Sequence, residues 1–507
     1  MAELCLTVSE STLEKNSKVC ERYCNNIDLI ELRVDGLDSS EFDYINKFPE
    51  MVNKPVIFTI RKEEDGGLSF IPEKTRMELF KRAWSSGYEY IDIEYDALDE
   101  IIAHLGDIEG GPTPIISRHN FEGVPEDLDR WFSDVLSEYN YALPKAAVKP
   151  NSMRDCIKLL SLYRRFSKVK KILIGMGGYG IFTRICAELL GSAISYTSKG
   201  GSAATGQISV EDMIGTYGFH AINRNTVCYG IIGNPVLHSA SPQLHNKGYK
   251  SLGINAVYVP FPVDSVKDFM DFAEILPVQG FSVTIPYKSE VITYLEEKSG
   301  HVEAVGACNT VYHTGEGWKG ENTDIQGFLE PLLEEFSSES SFTNKSAATG
   351  YVSLEDIGVT VIGAGGAARG VVHALINSGA RVLIINRTVE RAEKLAQEFN
   401  CKAGSPERIT EIISGYQNVI VQTTSVGMRS DKNTDAHDNL PKDPIEQYDF
   451  IGTELVYDII YTPKITPLLQ RAQAAGCKII TGDKMLFKQG IQQFKLFTGR
   501  EYPEING

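Results

Sequence analysis

Residues Val359-Thr-Val-Ile-Gly-Ala-Gly-Gly-Ala-Ala-Arg-Gly370 join an apolar, β-branched run to a cluster of glycines. A helical pattern follows at once, from Arg369 to Gly379. This order predicts a strand, a tight turn and a helix. The glycines let the backbone turn sharply and approach a pyrophosphate, Ala368 permits close helix packing, and the helix N-terminus presents free N–H groups. A second apolar run, Arg381-Val-Leu-Ile-Ile385, leads into Asn386-Arg387-Thr388, about 20 residues past the glycines. An acidic residue there would bind ribose hydroxyls. This chain places Arg387, with Arg391 one turn later, and cations suit a 2′-phosphate, so the pattern predicts an NADP-binding Rossmann domain. Its expected ligands are Gly363, Ala364, Gly365, Gly366 and Ala367 at the pyrophosphate, and Asn386, Arg387, Thr388 and Arg391 at the ribose phosphate.

Outward from this motif, the 507 residues predict about three domains at about 150 residues each. A net charge of −17 argues against nucleic-acid or anionic-membrane binding, so an anionic substrate needs locally placed Arg and Lys. The nine cysteines form no Cys-x-x-Cys pair; Cys20 and Cys24 read as one helix face. Scattered free thiols predict a reducing, cytoplasmic setting. His238 and His245 lack partners at metal-ligand spacing, so no metal is expected. No signal peptide and no apolar run long enough to span a bilayer are visible, so no membrane is expected.

To about Ala221 the chain alternates apolar strands with amphipathic helices. The strand candidates are Glu3–Val8, Leu29–Val34, Pro55–Ile60, Tyr90–Glu94, Pro114–Ser117, Tyr141–Val148, Lys171–Gly175 and Ala193–Thr197. Eight such units in about 220 residues predict a (β/α)8 barrel. The strand ends carry Glu31, Arg33 and Asp35, then Arg61, Asp92 and Glu94, Ser117 and His119, and Lys145; Arg184 and Gln207 follow the last two strands. Residues two apart in a strand share a face, so Glu31/Arg33/Asp35 and Ser117/His119 are same-face sets. Charges converging at the C-terminal mouth of a barrel build a site.

The pieces Glu31-Leu-Arg33, Phe58-Thr-Ile-Arg61, Asp92-Ile-Glu94, Ser117-Arg-His-Asn120, Pro144-Lys-Ala-Ala-Val148 and Gly206-Gln207 resemble the type I 3-dehydroquinate dehydratases. The resemblance implies a barrel in which Lys145 forms a Schiff base and His119 is the general acid/base. It further implies that Glu31, Arg33, Arg61, Arg184 and Gln207 bind or orient substrate. An imine is an electron sink that acidifies the neighbouring C–H. The attacking amine is neutral, a form that burial and nearby arginine favour. Two positions depart from the family: Asp65 stands where Glu is usual, and Ala203 where Ser is usual.

After a linker at Ala221–Thr226, a strand at Val227–Ile232 leads into Gly233-Asn-Pro-Val-Leu-His-Ser239-Ala-Ser241-Pro. Then follow Val283-Thr284-Ile-Pro-Tyr-Lys288, Gly306-Ala-Cys-Asn309, Asn322-Thr-Asp324, Tyr461 and Gln489. This series resembles the shikimate dehydrogenases. The resemblance implies that Ser239 and Ser241 bind the substrate carboxylate and that Lys288 and Asp324 form a catalytic dyad. Thr284, Asn309, Tyr461 and Gln489 line the substrate cleft in the same reading. Lys288 and Asp324 are expected at the ends of separate strands, and Phe336–Ser353 is expected to be a surface loop. Ser282 replaces a frequent Asn, Lys484 a frequent Gly.

The expected fold class is α/β: a barrel over 1–221, a substrate domain over 227–330 completed by 480–507, and a Rossmann domain over 331–480. The expected function is bifunctional. 3-Dehydroquinate is dehydrated to 3-dehydroshikimate, which is reduced with NADPH to shikimate. The alternatives are a Schiff-base barrel fused to a quinate dehydrogenase, and a non-catalytic sensor with these folds.

Overall fold

The computed structural model describes residues 1–105, 110–200, 206–338, 353–428 and 443–504. The chain divides into two compact units, Met1–Gln279 and Gly280–Gly507.

In the first unit, eight strands form one parallel sheet: β1 (Glu3–Val8), β2 (Leu29–Arg33), β3 (Val56–Thr59), β4 (Tyr90–Glu94), β5 (Thr113–Asn120), β6 (Leu143–Val148), β7 (Ile172–Gly175) and β8 (Ile194–Thr197). Their order is β7-β6-β5-β4-β3-β2-β1-β8, and the outer strands β7 and β8 also touch, so the sheet is a nearly closed barrel. Every strand but β5 is buried along almost its whole length, as the continuous Val/Ile/Leu runs of a parallel sheet require.

The two-residue period explains how a site arises on this frame. Cys5, Leu29, Ile57, Tyr90, Ile115, Leu143, Ile172 and Ile194 form an apolar floor inside the barrel. Two residues further on, each strand turns its next side chain to the same face. Those residues are Thr7, Glu31, Thr59, Asp92, Ser117, Lys145, Ile174 and Tyr196. One step along the parallel strands therefore exchanges a hydrocarbon layer for one that is polar on every strand but β7, where Ile174 stands. All eight strands expected from the sequence are present, with β5 extended to Asn120. Asp35 departs from the expected same-face set, because β2 ends at Arg33 and Val34–Gly36 is a tight helical turn.

The first unit continues with β9 (Val227–Gly233) and β10 (Ala256–Pro262), paired in parallel. The helix Ser241–Leu252 joins them, with Pro in its first turn, where a missing N–H is harmless.

In the second unit, β11 (Val278–Val283) pairs antiparallel with β13 (Thr310–Thr314), β13 pairs antiparallel with β14 (Gly317–Glu321), and the short β12 (Glu297–Lys298) flanks β14. Asp324 is not at a strand end as expected; it opens the helix Asp324–Ser338. A carboxylate there meets the positive end of the helix dipole, and the Asn322 side chain accepts from its backbone N–H at 3.1 Å. That helix also claims Phe336–Ser338 from the expected loop; residues 339–352 lie outside the described residues.

The remaining strands are β15 (Gly358–Ile362), β16 (Arg381–Ile385), β17 (Lys402–Gly404), β18 (Val419–Gln422), β19 (Leu455–Asp458) and β20 (Lys478–Ile480). They form a parallel sheet ordered β17-β16-β15-β18-β19-β20. Strand order reverses between β15 and β18, the crevice where doubly wound sheets bind ligands. One apolar cluster carries Val359, Val361, Val371 and Leu375, and a separate one carries Ile362, Leu383, Leu468 and Leu469, so the sheet is covered on both faces. The final helix, Gly482–Thr498, packs on Asp324–Ser338 and touches β13.

Candidate active sites

Lys145 rises from β6 into the polar layer of the barrel. Its Nζ lies 2.8 Å from Asp92 Oδ2 and 3.5 Å from Glu31 Oε1. It also lies 4.2 Å from the centroid of the Tyr196 ring. The sequence reading placed arginine beside this lysine; the groups that touch it are carboxylates, and Arg61 reaches the same Asp92 from the other side. Arg61 Nη2 is 2.8 Å from Asp92 Oδ1, and Nη1 donates to Ser117 Oγ at 2.8 Å. Ser117 Oγ in turn donates to Asp92 Oδ1 at 2.6 Å.

These groups are buried, so each charge needs a partner. Burial alone would raise the Asp92 carboxyl; Arg61 and Lys145 outweigh it and hold it well below the usual carboxylate range. Burial alone would lower the Arg61 guanidinium; Asp92, Glu94 and Glu31 reverse this and raise it. Glu94 binds Arg76 at 2.9 Å, and Arg76 binds Glu73 at 2.9 Å. Glu31 accepts from Thr7 at 2.8 Å and from Thr59 at 3.2 Å.

His119 ends β5, and its buried Nδ1 has no hydrogen-bond partner among the described residues. Burial, then Arg61 and Lys145, push the imidazole well below its ordinary value, so the ring is neutral and has an open nitrogen. Arg184, on the helix Ile181–Ile185, is buried; Nη1 donates to the Tyr196 carbonyl at 3.2 Å, and Nε has no partner among the described residues. Burial pulls this guanidinium down to about 10. A buried guanidinium that no carboxylate pairs, among the described residues, lacks an anion.

Arg33 donates to Asp35 at 2.6 and 3.0 Å and to the Gly66 carbonyl. Gln207 is half-buried beside Gly206, whose φ of +86° and close approach to Gly177, 2.6 Å from a Cβ to its backbone N, exclude a side chain. Asp65 is half-buried, and burial with Glu94 pushes its carboxyl up to about 6. Ser202 and Ala203 lie outside the described residues. Elsewhere in the first unit, Ser239 Oγ accepts from the N–H of Ser241 at 3.2 Å, at the start of the helix Ser241–Leu252.

The second unit carries its own lysine–aspartate pair. Lys288, in the turn after β11, places Nζ 2.6 Å from Asp324 Oδ2. Asn309 Nδ2 donates to Asp324 Oδ1 at 2.9 Å and lies 3.5 Å from Gln489 Oε1. Asn309 is held by the Thr323 N–H, which donates to its Oδ1 at 2.8 Å, and by the Thr310 hydroxyl at 2.8 Å. Ser282 serves this support: it donates to Gln493, which donates to the Asn309 carbonyl. Thr284 and Tyr461 are half-buried, Lys484 is exposed, and burial raises the Tyr461 phenol.

The glycine turn adjoins this pair. Gly363 has φ +117°, and a Cβ there would meet Thr423 Oγ1 at 2.4 Å. A Cβ on Gly366 would lie 3.9 Å from Lys288 Cδ, and one on Gly370 3.9 Å from Asp324 Cβ. Gly365 faces open space, and Ala364, Gly366 and Ala367 are only partly buried. Past β16, Asn386 Nδ2 donates to the Thr388 carbonyl at 2.8 Å, while Arg387 and Arg391 are exposed and have no ion pair among the described residues. Free cations, with no acid over residues 384–388, fit a nucleotide that carries an extra phosphate.

Several participants were not singled out by sequence. Asp92, Glu94 and Ser117 stood in quoted motifs without a role, although their alternation was visible. Arg76 reads as a helix-surface partner of Glu73. Tyr196 reads as strand filling.

Three family profiles match in succession: Type I 3-dehydroquinase over residues 4–224, Shikimate dehydrogenase substrate binding domain over 231–311, and Shikimate / quinate 5-dehydrogenase over 345–441. The chain is 31% identical over 487 residues to a Bifunctional 3-dehydroquinate dehydratase/shikimate dehydrogenase, chloroplastic, of Arabidopsis thaliana, covering 94% of this chain and 78% of the relative. It is 38% identical over 281 residues to a Shikimate dehydrogenase (NADP(+)) of Oleidesulfovibrio alaskensis, covering 54% of this chain and 91% of the relative. It is 28% identical to a Pentafunctional AROM polypeptide of Yarrowia lipolytica, covering 99% of this chain and 32% of the relative.

The barrel geometry generates a titration result. A histidine lowered in the folded state stays neutral there while the unfolded chain takes up a proton, so folding stability falls as pH drops below about 6.5. Nitrogen NMR on selectively labelled protein should show His119 neutral at pH 6.5 and below. A half-protonated His119 at its ordinary value would contradict the burial and cation argument.

Proposed function

The chain belongs to the family of bifunctional 3-dehydroquinate dehydratase/shikimate dehydrogenases, and on that premise we propose which residues carry each of its two reactions. It is an enzyme of two consecutive steps in the shikimate pathway: dehydration of 3-dehydroquinate, and reduction of the resulting 3-dehydroshikimate. We assign the first to residues 1–221, and the second to residues 227–330 and 480–507 with a nucleotide domain over 331–480.

In the barrel, Lys145 attacks the substrate ketone and forms an imine, which acidifies the adjacent carbon. Neutral His119 takes that proton and returns it to the departing hydroxyl, a role worth typically 10²–10⁴ in rate. Arg184 clamps the substrate carboxylate bidentately; its unpaired, buried guanidinium is the observation that carries this role. Glu31, Arg61, Arg33 and Gln207 orient the substrate's hydroxyls and the lysine.

In the dehydrogenase, Ser239 and Ser241 take the carboxylate, while Thr284, Asn309, Tyr461 and Gln489 take the ring hydroxyls. The cofactor is NADP(H), which supplies the hydride when bound. Lys288 supplies a proton to the ketone oxygen, and Asp324 holds the lysine in place. Gly363, Ala364, Gly365, Gly366 and Ala367 receive the pyrophosphate, and Asn386, Arg387, Thr388 and Arg391 the ribose phosphate. Among the described residues no helix is long and apolar enough to cross a membrane. Partners are small molecules, with neither nucleic acid nor membrane at a net charge of −17, and a cytoplasmic setting fits free thiols.

The division of labour has a direct test. Lys145→Ala should abolish dehydration and leave shikimate oxidation intact, and borohydride should trap product on wild-type Lys145. Dehydration surviving in the mutant would overturn the imine assignment.

The cofactor assignment has its own. Hydrogen bonds to charged groups are worth roughly 1.5–3 kcal/mol, and tenfold in affinity is about 1.4 kcal/mol. Arg387→Ala should therefore weaken NADP⁺ by roughly one to two orders of magnitude with little effect on NAD⁺. Because Arg391 remains, the lower end is expected. Equal loss for both cofactors would make Arg387 structural.

A further inference from the structure

Arg76 belongs to the helix Glu73–Trp84 that follows β3, yet its side chain is buried. One arm of the guanidinium holds exposed Glu73 at 2.9 Å. The other holds buried Glu94 Oε2 at 2.9 Å and lies 3.5 Å from the Ile60 carbonyl. The second oxygen of Glu94, Oε1, accepts the Lys62 N–H at 3.1 Å and lies 3.6 Å from Arg61 Nη1. Arg61 keeps its shorter contacts, 2.8 Å each, for Asp92 and Ser117. Two arginines therefore share Glu94, and the one on the helix has the closer hold.

We propose that Arg76 is a positioning residue of the dehydratase: by occupying Glu94 it leaves Arg61 on Asp92, so that Asp92 lets the Lys145 ammonium release a proton. This inference rests on the reading of Lys145 as the imine residue. The attacking amine is neutral, so the ammonium first passes one proton to water. Asp92 alone opposes that loss, because a carboxylate favours the charged form of an amine beside it. Arg61 on the far oxygen offsets part of the carboxylate's charge.

Glu31 on β2, His119 on β5, Cys5 on β1 and Tyr196 on β8 also face the amine. None of them shares an ion pair or hydrogen bond with Arg76 or Glu94 among the described residues. The influence of Arg76 therefore passes through Glu94 and Arg61. Without Arg76, the remaining ion-pair partner of Glu94 among the described residues is Arg61. A buried carboxylate is costly without a cation, so Glu94 draws the guanidinium off Asp92. Asp92 then holds the ammonium more tightly, and a more alkaline solution is needed to free the amine. Removing Glu73 has the opposite sign, because Arg76 then serves Glu94 alone.

The test reads the amine directly. Only neutral amines attack acetic anhydride, so the rate at which a trace of the reagent acetylates Lys145 is followed across pH by peptide mass spectrometry. Dehydratase kcat/KM is measured over the same range. In Arg76→Gln the acetylation curve should move up by about one pH unit, about tenfold in rate on its acid side. An unchanged plateau at high pH shows that the barrel is folded. Adding Glu94→Gln to Arg76→Gln should return the curve to its wild-type place. Glu73→Gln should move it down by a few tenths of a unit, the scale of an exposed pair. An unmoved curve in Arg76→Gln, or a shift that Glu94→Gln does not reverse, would overturn the role of Arg76. If Arg76→Gln does not fold, Glu73→Gln decides, and an unmoved or upward curve there overturns the proposal. Absence of a borohydride-trapped adduct on wild-type Lys145 would instead overturn the imine reading, and this inference with it.

Discussion

Two cations meet one buried carboxylate in the barrel, Lys145 on one oxygen of Asp92 and Arg61 on the other. Neither cation is tolerable in that position without the acid, nor the acid without them. Breaking a buried pair by removing one partner costs about 3–5 kcal/mol, because an uncompensated charge remains. The same condition extends outward: Arg61 approaches Glu94, Glu94 binds Arg76, and Arg76 binds Glu73. Charges of alternating sign therefore run from a helix outside the barrel to the amine at its centre. The amine is held on an acid that a second cation already neutralises in part.

The second unit solves a similar problem with a weaker partner. Asp324 also has one oxygen on a lysine and the other on a second donor, here the neutral amide of Asn309. A helix N-terminus supplies what a second cation supplies in the barrel, since Asp324 opens its helix. The difference suits the chemistry. In the dehydration proposed for the barrel Lys145 gives up hydrogens and forms a covalent bond. In the proposed reduction Lys288 forms no covalent bond and only passes a proton from its place beside the glycine turn.

Much of this was legible in the sequence, because parallel strands and glycine turns impose local rules. The eight barrel strands follow from apolar runs and the two-residue period. The strand, tight turn and helix that carry the proposed nucleotide site follow from the apolar run and Gly363–Gly366. What the sequence withheld was partnership across the barrel. Ser117 lies opposite Lys145 through strand register, and Arg76 reaches Glu94 from a neighbouring helix. Tyr196 meets Lys145 only because the sheet closes on itself. Asp35 and Asp324 were misplaced for another reason. A polar residue after a strand reads as its continuation, while backbone hydrogen bonding had already passed to a turn or a helix.

The central claim is that one chain holds two lysine–aspartate sites that act in succession on the same carbon skeleton. The most direct measurement is the identity of the product formed from 3-dehydroquinate by the purified chain, with and without NADPH. The account predicts 3-dehydroshikimate without the cofactor and shikimate with it. Recovery of unchanged 3-dehydroquinate without NADPH, or accumulation of quinate in its presence, would contradict it.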